Sequence, residues 1–147
     1  MKASMLQGLV IAAIAAGASA NALADDDPRT CSEATLKGTY IFAVSGYTIV
    51  GGAAQPKAIV QFTRFEGDGT FTVPAGTVSM NGVITHIPST VLGVYTLAPD
   101  CTGTYQFAPP GGPTFDLFVS AGGSDYWLIQ TGPGAQVLQG TGERLSR

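Results

Sequence analysis

Short runs of Thr, Val, Ile, Tyr and Phe alternate with turns that contain glycine or proline, from residue 38 to the end of the chain. Residues of these types favour β-strands. No stretch in this region has the periodicity and length of a useful helix. The pattern therefore predicts eight or nine strands. They cover residues 38–50, 58–65, 70–73 with a resumption at 77–80, a short segment that begins at 83, and then 93–97, 102–107, 114–120, 126–131 and 136–145.

The turns between these runs predict how the strands pair. Asp68-Gly69 and Asn81-Gly82 are hairpin signals, because both dipeptides accept positive φ. We expect Pro74 and Pro88 to interrupt the third and fourth strands, since proline lacks the N–H that a strand needs. Consecutive hairpins form an antiparallel meander, and closing it into a barrel removes both free edges. We therefore predict an all-β fold, an eight-stranded antiparallel up-and-down barrel closed by pairing residues 39–44 with 137–141. A two-sheet β-sandwich is the alternative.

The first 24 residues have the pattern of a secretory signal peptide. Lys2 precedes the apolar run 9–16, and small residues lead to the A-x-A cleavage site Ala22-Leu23-Ala24. The run is shorter than the roughly 20 apolar residues of a membrane-spanning helix. We predict cleavage after Ala24 and a secreted or periplasmic protein without membrane insertion after that cleavage. An N-terminal segment, 25–36, then precedes a β-barrel domain, 37–147.

Cys31 and Cys101 are the two cysteines of the chain. In an exported protein an even pair indicates a disulfide, because that compartment is oxidising. A bond across a loop of this length stabilises by about 4 kcal/mol through the entropy of the unfolded chain. Two free thiols are the alternative.

Charge and motifs exclude several classes of function. Without residues 1–24 the chain has ten acidic and six basic side chains, a net charge of −4, and no basic stripe, so we expect no nucleic-acid partner. The sequence has no motif of a catalytic nucleophile, phosphate loop or zinc protease. His86 is the only histidine and lacks partners for a metal site, so we predict neither a metal nor a cofactor. The oligomeric state is left open.

The candidate site lies in the predicted barrel interior. On the second strand Arg64 shares parity with Val60 and Phe62, so an inward apolar face would bring Arg64 to one barrel mouth. There it would pair with Asp116 or Glu143, or else reach solvent at the strand end. Aromatic residues on other strands either fill the core or surround a guest. We predict a mostly apolar ligand pocket at the mouth. Its ligand-binding residues are Phe62, Arg64, Tyr105 and Trp127.

Residues at both ends of the domain carry a resemblance. Gly38-Thr39-Tyr40 with Arg144 in the last strand resembles the lipocalin-like (calycin) barrels, which place a basic side chain over a ring of the first strand. In size and strand count the chain is similar to allene oxide cyclase-like barrels. Leu36, Gly38 and Tyr40, with residues 67–69 and 100–103, resemble an uncharacterised secreted bacterial β-barrel family, which brings no known activity.

Three classes of function follow. The first is a non-catalytic binder of a small apolar ligand. The second is an allene oxide cyclase-like isomerase or cyclase that acts by shape, with Arg64, Asp116 or Tyr105 assisting. The third is a structural or interaction protein of the cell envelope with a filled core. The first two require a cavity and the third predicts none.

Overall fold

A computed structural model of the protein describes residues 30–146, and the predicted signal peptide lies outside this range. Within these residues a short 3-10 turn, Glu33–Thr35, precedes nine strands. They are β1 (Gly38–Val50), β2 (Ala53–Phe65), β3 (Thr70–Met80), β4 (Val83–Ile87), β5 (Val91–Leu97), β6 (Thr102–Phe107), β7 (Thr114–Val119), β8 (Asp125–Gly132) and β9 (Gln136–Ser146). The predicted all-β class is confirmed, and every predicted strand has a counterpart within a few residues.

Eight of these strands close into an antiparallel barrel, as predicted. Each strand pairs with its sequence neighbour except that β3 pairs with both β4 and β5, and β1 closes the barrel against β9. The predicted pairing of residues 39–44 with 137–141 was wrong by several residues. In the structure Ala43 pairs with Thr141 and Tyr47 with Val137. The strand β4 lies outside the barrel and pairs with β3 alone.

Pro74 does not interrupt the third strand, contrary to the prediction. Along one edge, β3 pairs with β5 up to Val73 and with β4 from Gly76 onward, so Pro74 lies where the partner changes. Along the other edge the register with β2 shifts at the same place. The missing N–H of proline therefore falls at an irregularity of both ladders, where it costs no regular hydrogen bond.

Residues 31–36 of the N-terminal segment close one end of the barrel. The side chain of Leu36 is fully buried beneath the strands, and the Tyr95 hydroxyl donates to the backbone oxygens of Glu33 (2.7 Å) and Leu36 (3.0 Å). The predicted Cys31–Cys101 disulfide is present, with a Cα–Cα distance of 5.0 Å. It ties this segment to the turn between β5 and β6. Such a bond is compatible with an oxidising compartment.

Aromatic rings fill the barrel above this plug. Phe65 makes edge contacts with Tyr40, Tyr95 and Tyr126, at centroid distances of 5.2, 4.9 and 5.7 Å. Higher up, Phe71 stacks on Tyr105 at 4.2 Å. Of the two roles considered for the aromatic residues, these rings fill the core in this half of the interior.

The inward face of β2 is the opposite of the predicted one. Gln61, Thr63 and Phe65 are buried, whereas Val60 is 53% exposed and Phe62 41% exposed. Inward polar groups are tolerated here because they bond to one another: Gln61 Nε2 donates to Thr63 Oγ1 at 3.1 Å.

Among the described residues no helix has the length and apolar character needed to cross a membrane.

Candidate functional site

The interior is filled at the closed end and opens at the other. A cavity of about 210 Å³ lies at this open mouth, below the turns that join β1 to β2 and β3 to β4. Its wall is mostly apolar and comes from eight of the nine described strands, β2 to β9, and from the loop before β7. The lining residues are Lys57, Ile59, Gln61, Val78, Ile87, Val91, Phe107, Pro113, Phe115, Gln130 and Leu138.

The opening follows from how β8 and β9 pair. Their ladder runs from Asp125–Glu143 to Ile129–Gln139 and then stops, so the two strands separate beyond that point. Gln130 on β8 and Leu138 on β9 are buried residues next to this separation, and both line the cavity. The end of the β8–β9 ladder therefore positions part of the cavity wall.

Gln130 supplies an unusual polar group to this wall. Its side chain is 9% exposed, and its Nε2 donates to the backbone oxygen of Gly132 at 3.3 Å. Its Oε1 is buried and has no hydrogen-bond partner among the described residues. A buried acceptor without a donor costs about 1–3 kcal/mol. Gln130 as a residue lines the cavity, so a small rotation of its amide would bring Oε1 within reach of a guest that carries a donor.

Lys57 forms the polar rim of the mouth. Its Nζ donates to Gln136 Oε1 at 3.0 Å, and partial burial lowers the pKa of its ammonium group. Gln61 lines the cavity lower down, where its amide is bonded to Thr63. The cavity thus has one polar rim group, one satisfied amide and one unsatisfied acceptor within apolar walls.

A polar chain continues below the cavity. The Thr63 hydroxyl lies 3.3 Å from the Tyr105 hydroxyl, deep in the barrel. Burial raises the pKa of Tyr105 well above its ordinary value, and the neighbouring Tyr126 adds to this shift. The Tyr105 phenol therefore stays protonated at neutral pH. Its ring is buried in the core beneath the cavity and packs under the residues that line it.

The structure does not bring the four predicted ligand-binding residues together. Tyr105 is fully buried beneath the cavity, whereas Phe62 and Trp127 point outward and are 41% and 52% exposed. Arg64 also points outward, with a side chain that is 61% exposed. None of these four residues lines the cavity, which lies at the opposite end of the barrel from Arg64.

Arg64 does not make the ion pairs considered for it. Its Nε lies 3.3 Å from Glu66 Oε1, two residues along the chain, rather than near Asp116 or Glu143. The expectation that Arg64 reaches solvent at the strand end is confirmed. Both partners are exposed, so this ion pair has little effect on stability.

Sequence reasoning missed the residues of the true wall because it chose the wrong face of β2. Ile59 and Gln61 share parity with Phe65, but the other face has the more apolar pattern. On β8 the size of the Trp127 ring favoured an inward position for it. The alternating residues Tyr126, Leu128 and Gln130 are the ones that point inward. The alternation itself was readable, and only the choice of face failed.

The predicted contact between the first and last strands is present at the closed end. The Arg144 guanidinium carbon lies 5.3 Å from the centre of the Tyr40 ring, and its Nε donates to the Tyr40 hydroxyl at 2.8 Å. The Tyr40 hydroxyl in turn donates to the backbone oxygen of Gly123. This cluster fixes the last strand over the plug, far from the cavity.

Other features of the described residues do not form a better site. A larger depression of about 630 Å³ lies on the outer wall and has exposed residues such as Tyr47, Pro56 and Ala58 in its lining. Residues 30–146 contain no group of three or more His, Cys, Asp or Glu side chains that would hold a metal. His86 is exposed and its Nδ1 lies 3.3 Å from the Thr77 hydroxyl.

Searches with this sequence and fold found no matching family model, no matching curated protein and no matching solved structure. The resemblance to calycin and allene oxide cyclase-like barrels therefore stays a prediction.

Proposed function

We propose that the protein is a non-catalytic binder of a small apolar molecule that carries one hydrogen-bond donor. The observation that supports this proposal is the unpartnered Oε1 of Gln130 in the wall of the mouth cavity. Apolar walls provide the affinity for such a guest, and one buried acceptor orients it. A donor on the guest supplies the hydrogen bond that Gln130 Oε1 lacks in the free protein.

The size of the cavity limits the guest. Its volume of about 210 Å³ exceeds the roughly 150 Å³ that accommodates benzene in an apolar cavity. It falls below the roughly 300–1,000 Å³ of pockets for drug-sized ligands. A single ring with a short polar substituent, such as a phenol, fits these limits, whereas a long fatty acid does not.

The cyclase alternative finds less support in the same wall. Its described residues include no carboxylate and no histidine, so Lys57 is the one group there that titrates. Of the residues considered as assistants, Arg64 and Asp116 are exposed on the outer wall, and Tyr105 is buried below the cavity.

We further propose that binding takes place outside the cytoplasm, in a secreted or periplasmic protein. The signal-peptide pattern of residues 1–24 and the Cys31–Cys101 bond support this location.

A titration with phenol, followed by amide NMR and calorimetry, tests the binding proposal. Fluorescence of Trp127 is a poor reporter, since its ring lies on the outer wall. We expect shifts at Gln130 and Phe115, and loss of binding in Ile59→Trp, which fills the cavity. Val60→Trp is the matched control, because the neighbouring side chain points to solvent. Absence of binding at millimolar phenol, or equal binding by both variants, would favour a structural protein with no small ligand.

A further inference from the structure

The strand β4 presents an unpaired edge. It pairs with β3 on one side, and no strand among the described residues pairs with its other side. Its side chains are open to solvent, with Val83 66% and Ile84 57% exposed. An exposed edge of this kind is a template for another strand.

The backbone groups that point away from β3 can be identified. Asn81 and Gly82 both have positive φ, 49° and 85°, as a two-residue hairpin turn requires. The flanking pair Met80–Val83 then exchanges hydrogen bonds, and such pairs alternate along the ladder. The Asn81 N–H donates to Pro56 on the β2 side at 2.8 Å, which agrees with this alternation. The N–H and C=O groups of Ile84 and His86 therefore face the free edge.

The edge lacks the usual protection. Proteins commonly block an exposed edge with charged side chains, proline or a bulge. Residues 69–99 contain no Asp, Glu, Lys or Arg, and β4 itself has no proline and no register shift against β3. Nothing in this strand opposes the approach of a second one.

We propose that the partner of this edge is a second copy of the chain, with the two β4 strands antiparallel about a twofold axis at Thr85. In this register Ile84 of each copy lies opposite His86 of the other. These are the residues whose backbone groups face the edge, so the register forms four intermolecular hydrogen bonds. A register centred on Ile84 or on His86 forms only two between these groups.

Side chains favour the same register. Thr85 lies opposite Thr85 of the second copy, and Val83 lies opposite Ile87. Pairs of threonines and of β-branched apolar residues are favourable across antiparallel strands. The net charge of the chain, −3, does not oppose this contact locally, because the strand and its surroundings are uncharged.

Sedimentation velocity of the purified protein, up to millimolar concentration, tests the proposal. We expect a concentration-dependent dimer. Thr85→Lys and Thr85→Glu each place two like charges opposite one another on the axis, and we expect each to raise the dissociation constant about fivefold or more. An equimolar mixture of T85K and T85E should form a heterodimer, because opposite charges then face each other. Ile84→Pro removes two of the four donors while leaving the bonds to β3, and it should be monomeric.

Leu92→Lys is the control, since Leu92 is 59% exposed on β5, away from the edge, and should leave dimerisation unchanged. Circular dichroism establishes that each variant is folded. A wild-type chain that stays monomeric at the highest concentration overturns the proposal. So does a dimer that T85K, T85E and Ile84→Pro leave unaffected. The result is independent of ligand binding at the cavity.

Discussion

The ring of Phe71 lies against the backbone of Gly93, its cross-strand partner in β5, and leaves no room for a side chain there. A β-carbon on Gly93 would lie 1.9 Å from Phe71 Cζ. Tyr126 and Gly142 repeat this relationship between β8 and β9, with a distance of 2.0 Å. An eight-stranded barrel has a narrow interior. Its large rings fit because glycine stands opposite two of them.

We therefore expect Gly93→Ala to lower the free energy of unfolding by about 1–3 kcal/mol or more, because overpacking forces the Phe71 ring from its place. Urea unfolding measures the change. Gly132→Ala is the control, since nothing lies within 4 Å of a β-carbon there. Adding Phe71→Leu to Gly93→Ala should recover part of the loss. Equal stability of the Gly93 and Gly132 variants would contradict the packing argument.

The Arg144 cluster leads to a second prediction. Arg144 contacts the Tyr40 hydroxyl through Nε and the backbone oxygen of Thr35 through its terminal nitrogen at 3.0 Å. Lysine has one charged nitrogen and cannot donate to both of these oxygens while it lies over the Tyr40 ring. We expect Arg144→Lys to cost about 1–2 kcal/mol of unfolding free energy. Arg64→Lys, at an exposed ion pair, should change it by less than about 0.5 kcal/mol. Similar effects of the two substitutions would show that the cluster is not stabilising.

The disulfide gives a third prediction. Cys31 and Cys101 are separated by 70 residues, so their bond restricts a long loop of the unfolded chain. Cys31→Ala together with Cys101→Ala should lower the unfolding free energy by about 4 kcal/mol. Each single substitution should cost nearly as much as the pair, because either one removes the cross-link. Costs that simply add would indicate that the two side chains stabilise by packing instead.

The strands were predictable because residue type and turn chemistry act locally. Asp68-Gly69 and Asn81-Gly82 form the expected turns, and the closure by β9 followed from the number of strands. The facing of β2 was not predictable by the same means. Its inward Gln61 and Thr63 depend on hydrogen bonds to each other and to Tyr105, which belongs to a strand about 40 residues away. A rule based on the alternation of apolar and polar residues places Gln61 and Thr63 on the outer face.

The candidate cavity shows the same division. A mouth pocket was predicted from the barrel architecture and the presence of small residues, but at the Arg64 end, which Leu36 and its neighbours close. The predicted lining residues were wrong because the rule that apolar residues point inward failed for Phe62 and Trp127. Their side chains are 41% and 52% exposed. Gln130 carries no local signal of its importance. Its role depends on the separation of β8 from β9, a property of the ladder and not of the residue.

Alkaline pH provides a fourth prediction. Burial raises the pKa of Tyr95 to about 12 and moves the pKa of Tyr105 and Tyr126 further upward. In the unfolded chain these phenols titrate near their ordinary value of about 10. Above that pH the unfolded state therefore binds fewer protons than the folded state, and stability falls as pH rises. Below it, these groups have no effect on the pH dependence.

Absorbance of phenolate at 295 nm, compared with near-ultraviolet circular dichroism at the same pH, checks this expectation. Tyr95, Tyr105 and Tyr126 should ionise together with the loss of tertiary structure, each contributing up to about 1.4 kcal/mol per pH unit to the loss of stability. Full ionisation of all tyrosines in a protein that keeps its native dichroism would refute the assignment of buried phenols.

Gln130→Leu tests the chemistry of the cavity most directly. Leucine keeps nearly the same volume but removes the buried acceptor, so the variant should lose its preference for guests that donate a hydrogen bond. We expect its affinity for phenol to fall about threefold to tenfold, and its affinity for toluene to stay the same or rise. Calorimetric titration with both compounds measures the ratio. The variant removes the unpartnered Oε1 but also the bond from Nε2 to the Gly132 oxygen, so its free energy of unfolding should change by less than about 1 kcal/mol. Gln139→Leu is the matched control on the outer wall and should change neither affinity. Equal losses for phenol and toluene would mean that Gln130 shapes the cavity without orienting its guest.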